Sequence, residues 1–123
     1  MRLSRKEFER LVRRAIQALP QEVLSWLDNV DIVVEDQSTR RQLEEMGADD
    51  PNDVLGLYLG TPLAEREGSY PMLPDKIVLF QRPIEAAGGT RQGIEEEIRA
   101  TILHELAHHF GLGEARLEEL GLG

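Results

Sequence analysis

The sequence predicts an α+β fold: a small three-stranded sheet, helices at the N-terminus and a long helix near the C-terminus. Three observations lead there. An apolar stripe at helical period opens the chain, three short runs rich in Val, Ile and Leu occupy its middle, and a long helical pattern bearing every histidine closes it. At 123 residues the chain is read as one domain covering residues 1–123, long enough to bury a core without disulfide staples.

Ser4 is placed to cap a first helix carrying Phe8, Leu11, Val12, Ala15, Ile16 and Leu19, whose offsets fall on one face. Pro20 ends it. Gln21 to Leu27 reads as a short second helix with Trp26 turned to the core, and Asp31 to Glu35 as the first strand. Thr39 to Met46 reads as one or two helical turns stopped by Gly47, followed by a loop over Asp49–Asp53. Val54 to Leu59 and Lys76 to Gln81 are the second and third strands. Between them, Gly60 to Asp75 holds Pro62, Gly68, Pro71 and Pro74 and is expected to be a long irregular loop, either a substrate flap or a connector. Arg82 to Gly89 is expected to be a linker, because Pro83 and the Gly88-Gly89 pair interrupt it. Thr90 then caps a long helix running to Phe110, with Glu95, Glu96 and Glu97 near its positive end and Gly111 as its stop. One last turn is expected over Leu117–Leu120.

Composition narrows the function. Asp and Glu number 23 against 14 Lys and Arg, a formal net charge of −9 that argues against nucleic acid as the main partner. The basic residues Arg2, Arg5, Lys6, Arg10, Arg13 and Arg14 gather at the N-terminus, but Glu7 and Glu9 lie among them and the apolar stripe beside them suits a core, so a solvated face is expected rather than a membrane surface. No run is long and apolar enough to span a bilayer, and the charged N-terminus lacks the apolar stretch of a signal peptide. There is no cysteine, which fits a cytoplasmic protein and leaves His, Asp and Glu as the only strong metal ligands.

The chemistry is concentrated in His104-Glu105-Leu106-Ala107-His108-His109-Phe110-Gly111-Leu112-Gly113-Glu114. Residues four apart lie about one turn apart on the same helix face, so His104 and His108 can aim two imidazoles at one zinc ion (Zn2+). Glu105 is offset by about 100° from His104, close enough to meet a water on that metal. A catalytic zinc usually takes three protein ligands and keeps one position open. Gly111 lets the chain turn at the helix end, and about 10 Å of chain from there to Glu114 lets that carboxylate return to the metal. Glu114 is the expected third ligand, with Glu118 and Glu119 as substitutes from a following helix. By typical composition His-Glu-x-x-His arises by chance in on the order of one in several hundred chains this size, and the added Gly and carboxylate make it rarer still. The competing reading is a solvated helix face carrying two free histidines.

This stretch resembles the zincin metallopeptidases, in particular the metzincin-like pattern HExxHxxGxx followed by a ligand. More closely it is similar to a family of small bacterial minimal zincin-like proteins described as possible metallopeptidases. The resemblance extends to Leu55-Gly56-Leu57-Tyr58, Pro62-Leu63 and Leu73-Pro74-Asp75-Lys76-Ile77, and so covers the chain from about Asp31 onward. It implies that His104, His108 and Glu114 bind zinc and that Glu105 is the catalytic base. The match departs from the family pattern in its last ligand, Glu here where the small relatives more often have Asp and the large metzincins His. No methionine follows the motif, so the Met-turn of the large metzincins is absent, and the nine residues after Glu114 predict a wide, shallow site.

The expected partner is a peptide or protein. Tyr58, Tyr70 and His109 are candidates to steady an oxyanion, each with core packing or exposure as the alternative. Glu97, two turns before His104, is a candidate to hold a ligand histidine, or else a solvated acid. His109 points about 100° from His108 and should not share its metal. A catalytically weak or silent zincin-like metal- or peptide-binding module is the second reading. A metal-dependent endoribonuclease is the third, disfavoured because Glu105 and Glu114 replace the residues expected at those positions and because the chain is acidic.

Overall fold

A computed structural model describes residues 1–60, 74–111 and 113–119 of the chain. Ser4 opens helix α1 (Arg5–Gln17): its hydroxyl accepts from the Glu7 N–H, and the Glu7 carboxylate accepts from the Ser4 N–H. The apolar stripe buries Phe8, Leu11, Val12 and Ala15. Pro20, which cannot continue a helix, instead starts α2 (Gln21–Trp26). Strand β1 (Val30–Glu35) follows, and then α3 (Arg40–Met46), closed by Gly47 at φ 68°. The expected Asp49–Asp53 loop contains a short 3-10 turn, Pro51–Asp53.

Strands β2 (Gly56–Leu59) and β3 (Asp75–Phe80) complete a three-stranded sheet of order β1-β3-β2. β3 runs parallel to β1, with Ile32 opposite Ile77, and antiparallel to β2, with Tyr58 opposite Ile77. The central strand is the most deeply covered, since Ile77, Val78, Leu79 and Phe80 are all buried. The three strands fall where the sequence places them, within two residues at each end. The Gly60–Asp75 connector lies outside the described residues from 61 to 73.

One expectation is overturned. Residues 82–89 are not a linker: Gln81–Gly88 form helix α4 directly after β3. Pro83 falls in its first turn, where the missing N–H has no intrahelical partner to lose. Gly88 and Gly89 mark the end of this helix, with Gly89 at φ 75°. Helix α5 (Arg91–Phe110) then begins at the Thr90 cap, whose side chain accepts from the Gly93 N–H. Gly88 and Gly93 let α4 and α5 meet backbone to backbone: a Cβ on Gly93 would lie 2.1 Å from the Gly88 carbonyl oxygen. The first turn of α5 carries no acid, so Glu95, Glu96 and Glu97 sit beyond the strongest part of the helix dipole. Glu95 instead pairs with Arg14 of α1 at 2.7 Å. Among the described residues no helix is long and apolar enough to cross a membrane.

α1 is tied down by a buried polar network as well as by its apolar face. Glu85 on α4, 2% exposed, accepts from the Leu3 N–H at 2.8 Å, from Gln81 Nε2 at 2.9 Å and from Arg82 at 3.2 Å. Gln81 also donates to the Leu3 carbonyl and accepts from Arg5, which reaches on to Val34 and Asp36 at the end of β1. A buried carboxylate this fully satisfied is costly to disturb. Glu85→Ala is expected to lower unfolding free energy by about 3 kcal/mol, because the buried Leu3 N–H loses its acceptor and Gln81 Nε2 loses one of its two. Chemical denaturation of the two proteins measures it.

Candidate metal centre

The setting of α5 about its own axis follows from its apolar residues. Ile94, Ile98, Ile102 and Leu106 recur every fourth position and are all 0% exposed, packed against α1 and the sheet. His104 is two residues beyond Ile102, about 200° around the helix, and His108 bears the same relation to Leu106. Burying the stripe therefore drives both imidazoles outward, and both residues are exposed. Neither side chain makes a hydrogen bond among the described residues. Two imidazoles one turn apart are chemically suited to zinc and supply two of the three protein ligands that a catalytic zinc usually takes.

Glu105 falls between the buried and exposed faces. Its carboxylate accepts a hydrogen bond from the backbone N–H of Tyr58 on β2. Burial pushes the carboxyl above the ordinary glutamate range; His108, the Tyr58 N–H and His104 pull the other way without cancelling that effect. Gly56 is what brings β2 so near: a Cβ there would lie 2.5 Å from the Thr101 methyl carbon and 3.7 Å from Glu105 Cγ. A cleft of about 250 Å³ opens at this junction, lined by Asp53, Val54, Leu55, Gly56, Thr101, His104 and Glu105. A larger cavity of about 640 Å³ between α1 and α5 touches none of the motif residues, and two of its arginines are neutralised as the pairs Arg14–Glu95 and Arg91–Glu7. The smaller cleft is the one that meets the chemistry.

The other sequence candidates separate. The Tyr58 hydroxyl donates to Asp75 at 2.7 Å, and its ring stacks on His109 at 4.0 Å between centroids, so the side chain is engaged there rather than offered to an oxyanion. His109 is exposed, as one of its two readings expected, with one ring face stacked on Tyr58. Tyr70 lies outside the described residues. Glu97 is half-buried, and its described hydrogen bond is the one its backbone carbonyl accepts from Thr101. Gly111 ends α5 in the left-handed conformation at φ 69°. Helix α6 (Glu114–Glu119) follows, so the expected last turn at Leu117–Leu120 begins three residues earlier. The side chain of Glu114 lies outside the described residues. Among them, no set of three His, Asp or Glu is assembled to hold a metal. Of the substitutes, Glu119 accepts from Arg116 at 2.8 Å and Glu118 is exposed.

Sequence reasoning missed two contributors. The Tyr58 N–H reaches Glu105 through the backbone, which leaves no trace in residue identity. Asp75, 7% exposed, could have been suspected only as an acid at the start of an apolar strand.

A family model described as zincin-like metallopeptidase matches residues 27–123. The chain belongs to the zincin-like metallopeptidase family. The matched stretch takes in the whole sheet, α5 and α6, and leaves α1 and α2 outside it. Membership makes this, at family level, a zinc metallopeptidase and a hydrolase. A search of curated proteins found no match. Because a side chain at Gly56 would meet Thr101 where β2 approaches α5, Gly56→Val is expected to destabilise the fold by about 1–3 kcal/mol through overpacking. Thermal unfolding of the variant checks this.

Proposed function

We propose that this zincin-like protein is a zinc-dependent peptidase that hydrolyses peptide bonds in a peptide or protein substrate. One observation carries the proposal: α5 presents His104 and His108 outward, without a hydrogen-bond partner among the described residues, while setting Glu105 beside them, half-sheltered against the edge of the sheet. His104 and His108 would hold the metal, with Glu114 as the third ligand. When bound, zinc supplies Lewis acidity, lowering the pKa of a water molecule and polarising the scissile carbonyl.

The remaining work falls to the chain's own groups. Glu105 accepts the proton of the attacking water and returns it to the leaving amine, a role for which a carboxyl with a raised pKa is suited. The Tyr58 N–H holds that carboxylate in place between the two transfers. Strand β2 is an edge of the sheet among the described residues, and Glu105 lies against it. An extended substrate segment can add to such an edge through backbone hydrogen bonds and so pass in front of His104 and Glu105. The absence of cysteine supports a cytoplasmic location.

The second reading, a catalytically weak or silent zinc- or peptide-binding module, is favoured by the size of the cleft. At about 250 Å³ it falls below the roughly 300–1,000 Å³ of ordinary ligand pockets, so substrate would be held weakly. One set of variants separates the readings. Metal analysis is expected to find about one zinc per chain for wild type, near none for His104→Ala and weakened binding for Glu114→Ala. Glu105→Gln is expected to keep its zinc and lose peptide cleavage by about a hundredfold or more. Equal cleavage by wild type and Glu105→Gln would refute the peptidase assignment.

A further inference from the structure

Beyond the motif, α5 meets the sheet through a second cluster. Tyr58 and Asp75 lie on the same face of the sheet, since Tyr58 is opposite Ile77 and Asp75 precedes Ile77 by two residues. The Tyr58 ring lies nearly flat on His109, 12° from parallel at 4.0 Å, and its hydroxyl donates to Asp75 Oδ2 at 2.7 Å. His109 Nε2 is 3.8 Å from the same Asp75 oxygen. The backbone N–H of that same tyrosine is the hydrogen-bond donor to Glu105. One residue of the edge strand therefore touches α5 twice, one turn apart: by its amide at Glu105 and by its ring at His109.

We propose that His109, Tyr58 and Asp75 form a latch that sets the position of edge strand β2 along the last turns of α5, and that through it Glu105 is held in place. These are positioning residues. Their side chains act on Glu105 through β2 rather than on the metal or the reacting atoms. β2 has four residues and is paired on one side only among the described residues, so its own ladder restrains sliding or lifting weakly. The stack resists lifting, because separating the rings exposes both faces to water. The Tyr58–Asp75 hydrogen bond resists sliding, because Asp75 belongs to the buried central strand. Loss of either contact frees the Tyr58 amide, and Glu105 loses its donor. The role of Glu105 rests on the peptidase assignment, but the mechanical claim about β2 does not.

Amide hydrogen exchange tests the latch with or without catalysis. His109→Ala and Tyr58→Phe are each expected to speed exchange at Tyr58 by about tenfold or more, while the Ile98 and Ile102 amides in the core of α5 stay protected. His109→Phe keeps an aromatic face and is expected to restore much of the protection. Zinc stoichiometry is expected to remain that of wild type in all three, and any cleavage activity to fall in kcat more than it changes in KM. Unchanged Tyr58 exchange in both His109→Ala and Tyr58→Phe overturns the proposal. So does equal acceleration at Ile98 and Ile102, which signals global unfolding, and so does loss of zinc from His109→Ala, which makes His109 a ligand. If exchange responds as expected but no peptide is cleaved, the latch stands and the peptidase assignment fails.

Discussion

The rotational setting of helix α5 is the constraint on which the rest of the structure depends. Ile94, Ile98, Ile102 and Leu106 form a single fully buried line that leaves the helix no freedom to turn. Rotating it by even a third of a turn would expose large aliphatic side chains, each worth about 1.5–3 kcal/mol in the core. That energy, spread along the helix, aims His104 and His108 at solvent. The two imidazoles contribute nothing to their own orientation. They are carried there by residues that have no chemistry.

The same setting produces an intermediate zone at which Thr101 and Glu105 face β2. Helix and strand meet closely there only because Gly56 has no side chain, and the strand's backbone then serves the site as a functional group. A carboxylate at such a seam is removed from water enough to raise its proton affinity, yet keeps a hydrogen-bond donor that fixes its direction. Full burial would make it a structural acid, and full exposure an ordinary one. The seam supplies the condition between.

Stability is arranged to leave this seam open. α1 covers part of the buried line of α5, and the Glu85 network binds the N-terminal segment to α4 and β1. α1 and α2 lie outside the stretch that matches the zincin-like family, yet α1 covers the buried face that orients the motif. α2 reaches the other end of the site: Glu22 pairs with Arg116 of α6, and Trp26 lies 6.2 Å from Phe110 between ring centroids.

Much of this was legible in the residues, and the rest was not, for reasons of range. Helical and strand periods, the Ser4 and Thr90 caps, the Gly111 stop and the spacing of His104, Glu105 and His108 are local: each concerns residues within about one turn of one another, where backbone geometry alone fixes the outcome. Pro83 misled because its effect depends on which turn of a helix it occupies, and that is set by where β3 ends. The parallel pairing of β1 with β3, the approach of Gly56 to Thr101, the Tyr58 amide on Glu105 and the Tyr58–Asp75–His109 cluster join residues distant in sequence. Chain order carries no record of such distances. Only the packing of α5 against the sheet, by burying one line of side chains, decided which of these groups would meet.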